Sequence, residues 1–578
     1  MRLRILLVGL IFSLCMTAIG AKAVYLQLFC EPWLSQKAAD QYEKLYTTRG
    51  QRGTIYDRNH GEMALSIDVT SIAANPAHIS DAKKTANTLS KILKIDSRDL
   101  DRKLGSEKPF VWLKRQVTPK EAKVVQDLKL SGISFQPEFK RFYPNRAIAA
   151  QVLGFSGIDG QGLEGIEYYY NSFLKSDDGD FKALTDALGR KFDAEKEPMP
   201  DYSGNNLILT IDRTIQYISE KALEDTVSEF SAKSGIAIVM NPETGAILAL
   251  AHYPFFNPNS YRDFGKELWR NRAITDQFEP GSTMKIFLAA AALESGICSP
   301  NTIFFCENGS YAIGKNTVHD IHPREWLSLQ QIIKYSSNIG AVKVGERIGP
   351  ELLFNTLRDF GFGEKTGFDC PGETSASLAS YKRWAKIDAA NIAFGQGVTV
   401  SALQILTAAS AIANNGVLMR PYIVQAATDQ NGRIIQSFGP KKVRRVISAE
   451  TAGKVLDMMK SAVSEEGTGA KAAIEGYSVC GKTGTAQKID DKGTYSDGKY
   501  IASFIGFVPA EKPEISVMVV IDEPEKNYYG GIVATRAFRK IARETLDYTN
   551  VLPKSKKDRM MANIYLPPET DWKTHVYQ

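Results

Sequence analysis

The stretch FEPGSTMKIFLAAAAL, residues 278–293, predicts the centre of the fold. Pro280 and Gly281 break the preceding structure, and the residues after Lys285 are apolar on every side, which is typical of a buried helix. Ser282 and Lys285 are three residues apart, so both side chains project from one face of the first turn. A serine at a helix start faces the positive end of the helix dipole, and a lysine in apolar surroundings loses its proton readily. This turn therefore offers a nucleophile and a base.

A second polar motif, Ser336-Ser337-Asn338, lies between two stretches that predict helices. The first of these stretches has capping-box spacing at Ser328 and Gln331. A short polar break of this kind can direct a hydroxyl and an amide into a cleft, and the alternative is a plain turn between helices. Ser-x-x-Lys is weak evidence alone, because Ser496 and Lys499 repeat it in DDKGTYSDGKY, which we expect to be a solvated loop.

The tripeptide Lys-Thr-Gly occurs twice, at Lys365 and at Lys482. The first copy lies among glycines in GFGEKTGFDCPG, which predicts a loop with Lys365 in water. The second lies between YSVCG and TAQKI, which predict a strand at a sheet edge. An open strand can pair with a peptide as an added strand, and Gly484 leaves room for close approach. Ser-x-x-Lys, Ser-x-Asn and Lys-Thr-Gly thus follow one another once with every member in a suitable setting, and the ordered trio is a strong signal.

The chain has 578 residues, which predicts more than one domain. Strand patterns come first after Asn206, helical patterns follow, and strand patterns return at the end, which predicts an α+β fold with an antiparallel sheet flanked by helices. We expect the following segments: an N-terminus over 1–4, a transmembrane anchor over 5–29, a stalk over 30–48, a first mixed domain over 49–202, a second domain over 206–548 and a polar tail over 549–578.

The N-terminus predicts a membrane anchor. Arg2 and Arg4 precede a long apolar run interrupted by Lys22, and the flanking arginines predict a cytoplasmic N-terminus with the bulk of the chain outside. The alternative is a cleaved signal peptide, because Ala21-Lys22-Ala23 resembles a cleavage site, although the apolar run is longer than usual for one.

Several features argue against other classes of function. The net charge is +6 and the basic run KSKKDR (554–559) stands alone, which disfavours a nucleic-acid partner. The six cysteines follow no metal spacing; Cys298 and Cys306 form a disulfide or remain buried thiols. The pair His319 and His322 lies in a loop beside a proline, so we expect no metal. The glycine-rich segment 152–167 carries two glutamates that would repel a phosphate, which favours a turn-rich scaffold.

The sequence resembles the class B, monofunctional penicillin-binding proteins. In the second domain the resemblance rests on RNRAITDQFEPGSTMK, IKYSSNIG, NIAFGQGVTVSALQ and GKTGTAQ. In the first domain it rests on RGTIYDRNHGEMA (52–64) and RFYPNRAIAAQVLGFSGIDGQGLEGIE (141–167), which resemble the pedestal, or dimerisation, domain of that class. The signature of an attached glycosyltransferase is absent, and the septal, cell-division type fits better than the elongation type. Arg536 stands where the family usually has proline, which puts the local loop in doubt.

The resemblance implies a serine β-lactamase-like fold and peptidoglycan D,D-transpeptidation at D-Ala-D-Ala, with β-lactams as inhibitors. It assigns Ser282 as nucleophile, Lys285 as base, and Ser336 and Asn338 as proton relay and amide ligand. It assigns substrate binding to Lys482, Thr483, Gly484 and Thr485, of which Lys482, Thr483 and Thr485 would hold the terminal carboxylate. It assigns the oxyanion hole to the backbone N–H groups of Ser282 and Thr485.

The resemblance also implies the surroundings of the protein. We expect a single-pass protein of the cytoplasmic membrane whose catalytic domain lies in the periplasm or outside the cell. Its partners would be stem peptides as donor and amine acceptor, a membrane glycosyltransferase of the shape and division family, and other division proteins. No cofactor and no nucleic acid are implied.

Three alternatives remain open at this stage. The first is the elongation type of the same enzyme. The second is a D,D-carboxypeptidase or a β-lactamase, which uses the same trio with water as acceptor; a β-lactamase also needs a deacylation base, which the sequence does not reveal. The third is a non-catalytic β-lactam sensor or division scaffold.

Overall fold

The computed structural model describes residues 2–29, 43–176, 178–184, 203–489 and 494–553. Most of the stalk expected over 30–48 and the tail beyond Pro553 lie outside these residues. The α-helices run over Arg2–Phe29 (α1), Ala82–Leu93 (α2), Ser97–Leu104 (α3), Pro119–Asp127 (α4), Ala150–Leu153 (α5), Gly165–Tyr169 (α6), Asn171–Leu174 (α7), Arg213–Glu229 (α8), Arg272–Thr275 (α9), Lys285–Glu294 (α10), Leu329–Tyr335 (α11), Asn338–Ile348 (α12), Pro350–Asp359 (α13), Lys386–Ala393 (α14), Ala402–Ala413 (α15), Ala449–Ala462 (α16) and Ala534–Tyr548 (α17).

The β-strands confirm the expected mixture of strands and helices. They run over Glu43–Arg49 (β1), Ile55–Tyr56 (β2), Glu62–Ala74 (β3), Val111–Val117 (β4), Ile133–Phe142 (β5), Asp178–Leu184 (β6), Asn206–Leu209 (β7), Ser234–Met240 (β8), Ile247–Tyr253 (β9), Ile303–Phe305 (β10), Ser310–Ile313 (β11), Asn316–His319 (β12), Trp326–Ser328 (β13), Val417–Arg420 (β14), Val424–Thr428 (β15), Ile434–Ser437 (β16), Lys441–Arg445 (β17), Cys480–Ile489 (β18), Tyr495–Val508 (β19) and Ile515–Asp522 (β20).

The described residues form two compact units. The first holds residues up to Gln51 and those from Ser176 to Gly204. It contains the apolar helix α1 and an antiparallel pair made by β1 and β6. Over Arg2–Gln27, α1 is long and apolar enough to cross a membrane, and none of that span is buried against protein.

The second unit is built around an antiparallel five-stranded sheet in the order β18-β19-β20-β8-β9. Side chains alternate across it, as the two-residue period of a strand requires. Along β8, Ala237 and Val239 pack with α8 and α17, whereas Ile236 and Ile238 belong to the core on the opposite face. The helices therefore cover both faces of the sheet and leave β18 at its edge.

Helix α10 lies in the core that contains Ile236 and Ile238, as its apolar sequence predicts. Every residue from Lys285 to Leu293 is buried. Its neighbours are α11, α12, α13 and α16, so the helix is enclosed by other helices. The first residue of this helix, a lysine, is consequently held in an apolar environment.

A seven-stranded sheet joins distant parts of the sequence. Its strand order is β16-β15-β7-β2-β3-β4, and β5 pairs with β3 in addition. Strand β2 runs parallel to β7, with Ile55 opposite Leu207. Strands on both sides of the boundary expected at 202–206 thus share one sheet within one compact unit, while the boundary itself stays a prediction.

A buried ion cluster explains the glycine-rich segment 152–167. Glu167 is fully buried and accepts hydrogen bonds from Nε of Arg52 and Nε of Arg141, each at 2.6 Å. The two guanidinium groups hold the pKa of Glu167 below its usual value against the opposing effect of burial. A Cβ on Gly162 would meet the carbonyl carbon and oxygen of Glu167 at 2.3 and 1.8 Å, so the segment packs as a scaffold.

Candidate functional site

Ser282 lies on a tight turn that leads directly into α10. The turn, Gly281–Met284, is a 3₁₀ helix. Gly281 has φ +54°, a left-handed conformation that favours glycine, and its N–H donates to the carbonyl of Gly395 at 3.0 Å. Gly395 must also be glycine, because a Cβ there would lie 2.0 Å from the carbonyl oxygen of Gly281. The two glycines thereby fix the backbone under Ser282.

Lys285 contacts the other polar residues of the site through its Nζ atom. The Nζ atom lies 3.0 Å from Oγ of Ser282, 2.7 Å from Oδ1 of Asn338 and 2.6 Å from the carbonyl oxygen of Ser336. Burial lowers the pKa of Lys285 well below its usual value; the charge of Lys482 lowers it further, and Asp320 opposes both. The amine is therefore placed and tuned to accept a proton from Ser282.

Ser336 and Asn338 occupy the break between α11 and α12, where the sequence predicted them. The capping box of Ser328 and Gln331 starts α11, and Ser336 ends it with φ +60°. A left-handed conformation costs a non-glycine residue about 1 kcal/mol or more. It turns the chain so that the carbonyl of Ser336 meets Lys285 and the next helix can begin at Asn338.

Asp320 holds this break in place, and sequence reasoning missed it. Its carboxylate accepts hydrogen bonds from the N–H groups of Asn338 and Ile339 and from the hydroxyl of Ser337. A carboxylate at a helix N-terminus satisfies free N–H groups and the helix dipole. His319 and His322 lie on either side of Asp320 in the sequence. Among the described residues, no group of three or more His, Cys, Asp or Glu side chains is arranged to hold a metal ion.

Lys482 reaches the same break from edge strand β18. Its side chain is fully buried, and Nζ donates to Oγ of Ser336 at 2.9 Å. Burial lowers the pKa of Lys482 to about 7. Ser336 is thus contacted by both lysines, through its carbonyl by Lys285 and through its hydroxyl by Lys482.

The rest of the second Lys-Thr-Gly copy lines the cleft edge. Oγ1 of Thr483 donates to Oγ1 of Thr468 at 3.2 Å, and Oγ1 of Thr485 accepts from the N–H of Gly530 at 3.0 Å. A Cβ on Gly484 would lie 2.9 Å from the carbonyl of Pro280, so glycine is needed where β18 passes the Ser282 turn.

The competing copies of these motifs lie elsewhere. Lys365 is exposed in a loop, and Glu373 accepts hydrogen bonds from the N–H and hydroxyl of Thr366. The prediction of a loop for Ser496–Lys499 was wrong: these residues extend β19, because the β18–β19 hairpin continues beyond the sheet with Ile489 opposite Tyr495. Lys499 is nevertheless exposed to water, as expected.

Glu279 is a second residue that sequence reasoning missed. It is 5 % exposed, and it accepts hydrogen bonds from the N–H of Gly397 at 2.7 Å and from the hydroxyl of Tyr495 at 3.1 Å. Glu279 therefore connects the Ser282 turn to the segment that carries Gly395 and to the outer part of β19. No spacing rule marks it, because its partners are far away in sequence.

The cysteines and Arg536 have structural settings. Cys298, Cys306, Cys370 and Cys480 are buried free thiols and Cys15 is free in α1, whereas Cys30 lies outside the described residues. Arg536 belongs to the first turns of α17 and forms an ion pair with Glu229 at 3.2 Å.

The site opens into a cleft of about 560 Å³. Its lining includes Ser282, Ser336, Asn338, Thr483 and Thr485, and among the described lining residues Asp320 is the one carboxylate. The carboxylate of Asp320 already accepts hydrogen bonds from the residues at the start of α12. The cleft therefore presents hydroxyls, amides and cations, which suit an acyl transfer to serine and an anionic substrate.

Two models of known protein families match this chain. A family model described as "Penicillin binding protein transpeptidase domain" matches residues 235–543. A second model, described as "Penicillin-binding Protein dimerisation domain", matches residues 47–209. The two matches follow one another along the chain in the order expected for the two domains.

Curated relatives are similar over nearly the whole chain. "Probable peptidoglycan D,D-transpeptidase PenA" of Neisseria meningitidis is 34% identical over 95% of this chain and 93% of the relative. "Peptidoglycan D,D-transpeptidase FtsI" of Escherichia coli K12 is 31% identical over 92% and 89%. "Stage V sporulation protein D" of Bacillus subtilis is 34% identical over 96% and 87%.

Solved structures give the same result. A peptidoglycan synthetase from Bifidobacterium adolescentis has a TM-score of 0.70 and 28% identity, covering 89% of this chain and 98% of that one. Penicillin binding protein 3 from Mycobacterium tuberculosis, complexed with aztreonam, has a TM-score of 0.69 and 27% identity, covering 88% and 98%. The similarity therefore includes both matched segments.

Proposed function

This chain belongs to the class B penicillin-binding proteins, and from that premise we propose that it is a peptidoglycan D,D-transpeptidase that forms a serine acyl-enzyme at Ser282. Relatives named as D,D-transpeptidases and the ordered site residues support the activity. The observation that carries the assignment is the position of Lys285 Nζ, within hydrogen-bonding distance of Ser282 and of Asn338.

Acylation would begin with attack of Ser282 Oγ on the carbonyl of the penultimate D-Ala of a donor stem peptide. Lys285, whose lowered pKa favours the neutral amine, takes the hydroxyl proton. The negative charge that develops on the carbonyl oxygen would be stabilised by the N–H groups of Ser282 and Thr485. Their proximity is supported by Gly281, where a Cβ would lie 3.0 Å from the carbonyl of Thr485.

Collapse of the tetrahedral intermediate breaks the peptide bond and releases D-Ala. Ser336 would pass a proton to the leaving amine, because its hydroxyl lies 3.4 Å from Lys285 Nζ and 2.9 Å from Lys482 Nζ. Lys482, Thr483 and Thr485 would hold the terminal carboxylate, and Gly484 leaves the strand open to it. An amine of a second stem peptide then attacks the ester, which forms the cross-link and frees Ser282.

The edge position of β18 supports binding of the donor as an additional strand. One side of β18 pairs with β19, with Gly484 opposite Ser503. The other side belongs to the sheet edge, and Thr483 and Thr485 line the cleft there. A peptide paired with this edge would gain backbone hydrogen bonds and place its carbonyl beside Ser282.

Hydrolytic alternatives receive less support from the cleft. A β-lactamase needs a free carboxylate or an equivalent base to activate water against the acyl-enzyme. Among the described residues that line the cleft, Asp320 is the one carboxylate, and its oxygens accept three hydrogen bonds from the start of α12. This lining disfavours a β-lactamase, and because the relatives are named D,D-transpeptidases we propose an amine as the acceptor.

A septal role in cell division is the finer part of the proposal. Relatives named FtsI support it, and the relative named Stage V sporulation protein D marks another role within the same family. The elongation type is the alternative. Depletion of the protein followed by microscopy distinguishes them, since filaments indicate a septal role and rounded cells indicate elongation.

The apolar helix α1 supports a single-pass location in the cytoplasmic membrane. We propose that the N-terminus is cytoplasmic and that the chain beyond α1 lies on the outer side, where stem peptides are cross-linked. A glycosyltransferase of the shape and division family and other division proteins would then be the partners. Protease digestion of intact spheroplasts tests the topology, because it should remove nearly the whole chain.

Labelling with a fluorescent penicillin tests the assignment of the nucleophile. The labelled peptide should contain Ser282, and Ser282→Ala should abolish labelling, whereas Ser496→Ala in the other Ser-x-x-Lys should label normally. Growth rescue by Ser282→Ala would instead favour a non-catalytic scaffold. Product analysis with stem peptides completes the test, because shortened monomers without cross-linked dimers would indicate a carboxypeptidase.

A further inference from the structure

Two exposed cations at the mouth of the cleft have no role in the reaction described above. Arg324 lies in the segment between β12 and β13, Lys471 lies in a short 3₁₀ turn before β18, and both line the cleft. Among the described residues, neither forms an ion pair with a carboxylate. Two cations without a direct ion pair at the mouth of a substrate cleft can bind an anion.

Arg324 is held in position by an aromatic ring. Its guanidinium lies 3.8 Å from the centroid of Tyr335, the residue that precedes Ser336. The nearby acid Glu466 is paired with Lys334 at 2.8 Å and accepts from the hydroxyl of Tyr335. Lys334 is the main cause of the lowered pKa of Glu466, and the charge of Arg324 contributes less. This cation–π contact holds the guanidinium against the ring, and its N–H groups can still bind a ligand in the cleft.

Lys471 lies on a different segment of the cleft lining. It follows Thr468, whose hydroxyl accepts from Thr483 and whose N–H donates to the carbonyl of Lys334 at 3.3 Å. The segment that carries Lys471 is therefore joined to the end of α11, next to Tyr335. Arg324 and Lys471 thus line the same cleft as Ser336 and Thr483.

We infer that Arg324 and Lys471 form a second carboxylate subsite, which binds a stem-peptide carboxylate other than the terminal one held by Lys482. This inference rests on the proposed transpeptidase function. Peptide substrates carry their negative charges as carboxylates, and a planar guanidinium binds a carboxylate through two parallel hydrogen bonds. The carboxylate comes either from the donor stem peptide or from the acceptor, and two experimental arms distinguish these sources.

The donor arm compares benzylpenicillin with carbenicillin, which differ by one carboxylate on the acyl side chain. The acylation rate constant is measured for each drug with the wild type, Arg324→Gln, Lys471→Gln and the double variant. If the donor supplies the carboxylate, the carbenicillin-to-benzylpenicillin ratio falls about fivefold in the double variant. Arg324→Lys, which keeps the charge, should retain part of the preference.

The acceptor arm compares D-alanine with D-alaninamide as the amine that attacks an acyl-enzyme formed from a thioester donor. The ratio of aminolysis to hydrolysis is measured for each amine. If the acceptor supplies the carboxylate, the preference for D-alanine over D-alaninamide falls about fivefold in the double variant. A fall in either arm supports the subsite and identifies its source.

Matched controls use the same charge change away from the cleft. Arg433→Gln and Lys441→Gln are exposed substitutions on the segment of β16 and β17, and they should change neither ratio. Unchanged ratios in both arms for the double variant would overturn the subsite. Because each ratio compares two ligands on one protein, a general loss of folded protein leaves the ratio intact. Absence of any acylation in the wild type would instead contradict the transpeptidase proposal itself.

Discussion

The Nζ atom of Lys482 lies 2.9 Å from Oγ of Ser336. The other side of the same serine, its carbonyl, contacts Lys285, so two buried lysines meet at one residue. Burial lowers the pKa of both lysines, and the charge of Lys482 lowers the pKa of Lys285 further. The site can therefore combine a neutral amine at Lys285 with a titrating cation at Lys482.

We expect acylation by penicillin to fall as the pH rises through about 7. The pKa of Lys482 is lowered to about 7 by burial, so its charge is present below that pH and lost above it. A penicillin carboxylate bound to this charge raises the pKa somewhat but does not reverse the sign. The measurement is the pH profile of the acylation rate, with the uncharged methyl ester of the same penicillin as control; an identical alkaline fall for the ester would contradict the role of Lys482.

Replacement of Lys482 by alanine should reduce penicillin acylation by at least about 100-fold, since an anchoring charge and a contact to Ser336 are lost. Lys365→Ala is the matched control from the other Lys-Thr-Gly copy. Lys365 is exposed in its loop, so its loss should leave acylation and stability within experimental error. Equal losses in the two variants would refute the assignment of Lys482.

Lys482→Met should stabilise the protein while it inactivates the enzyme. At pH 6 the wild type keeps a buried cation whose folded pKa lies below its unfolded value, and removing that cation should raise the free energy of unfolding by on the order of 3 kcal/mol. The gain should shrink towards pH 10, where the lysine is neutral in the folded state. Denaturant unfolding at the two pH values measures this, and a gain that grows with pH would be the wrong sign.

Gly281→Ala should lose more stability and activity than the positive φ of Gly281 alone predicts. Gly281 and Gly296 have φ values of +54° and +69°, but an added Cβ at Gly281 meets the carbonyl of Thr485 at 3.0 Å, whereas Gly296 has nothing within 4 Å. Gly296→Ala should therefore lose about 1 kcal/mol of stability and keep its acylation rate. Gly281→Ala should also slow acylation about tenfold or more, because the Ser282 turn shifts away from β18. Unchanged acylation in Gly281→Ala would show that the turn tolerates the shift.

Glu167→Gln should destabilise the folded protein by about 3–5 kcal/mol, because it leaves Arg52 and Arg141 without a compensating buried charge. Glu450→Gln is the control, since it removes a surface pair with Lys454 and should change stability by less than about 0.5 kcal/mol. Chemical denaturation of both variants provides the comparison. A small effect of Glu167→Gln would mean that the buried cluster contributes little net stability.

Local sequence patterns predicted those parts of the site that depend on neighbouring residues. The apolar run after Lys285 predicted α10, and the capping box at Ser328 predicted α11 with the polar break at its end. The turn and strand residues around Lys482 predicted an edge strand. In each case the signal lies within about ten residues of the functional side chain, which is the range over which caps and periodicity act.

The remaining features depend on contacts between distant residues. Asp320 matters because α12 begins at its carboxylate, and Glu279 matters because Gly397 and Tyr495 meet it from far along the chain. A single sequence gives no signal for such pairings. The wrong assignment of Ser496 to a loop has a related cause, since a polar, glycine-containing strand is held by its hairpin partner rather than by its own residues.

The parallel pairing of Ile55 with Leu207 has a consequence for modularity. A fragment that starts at Asn206 keeps every catalytic side chain proposed here, but its first strand loses β2 and presents bare backbone N–H and C=O groups along one side. The segments before and after Asn206 are thus not structurally independent. An exchange of the segment before Asn206 between relatives would have to preserve the hydrogen-bonding register of β2 against β7. The two segments are therefore expected to evolve together.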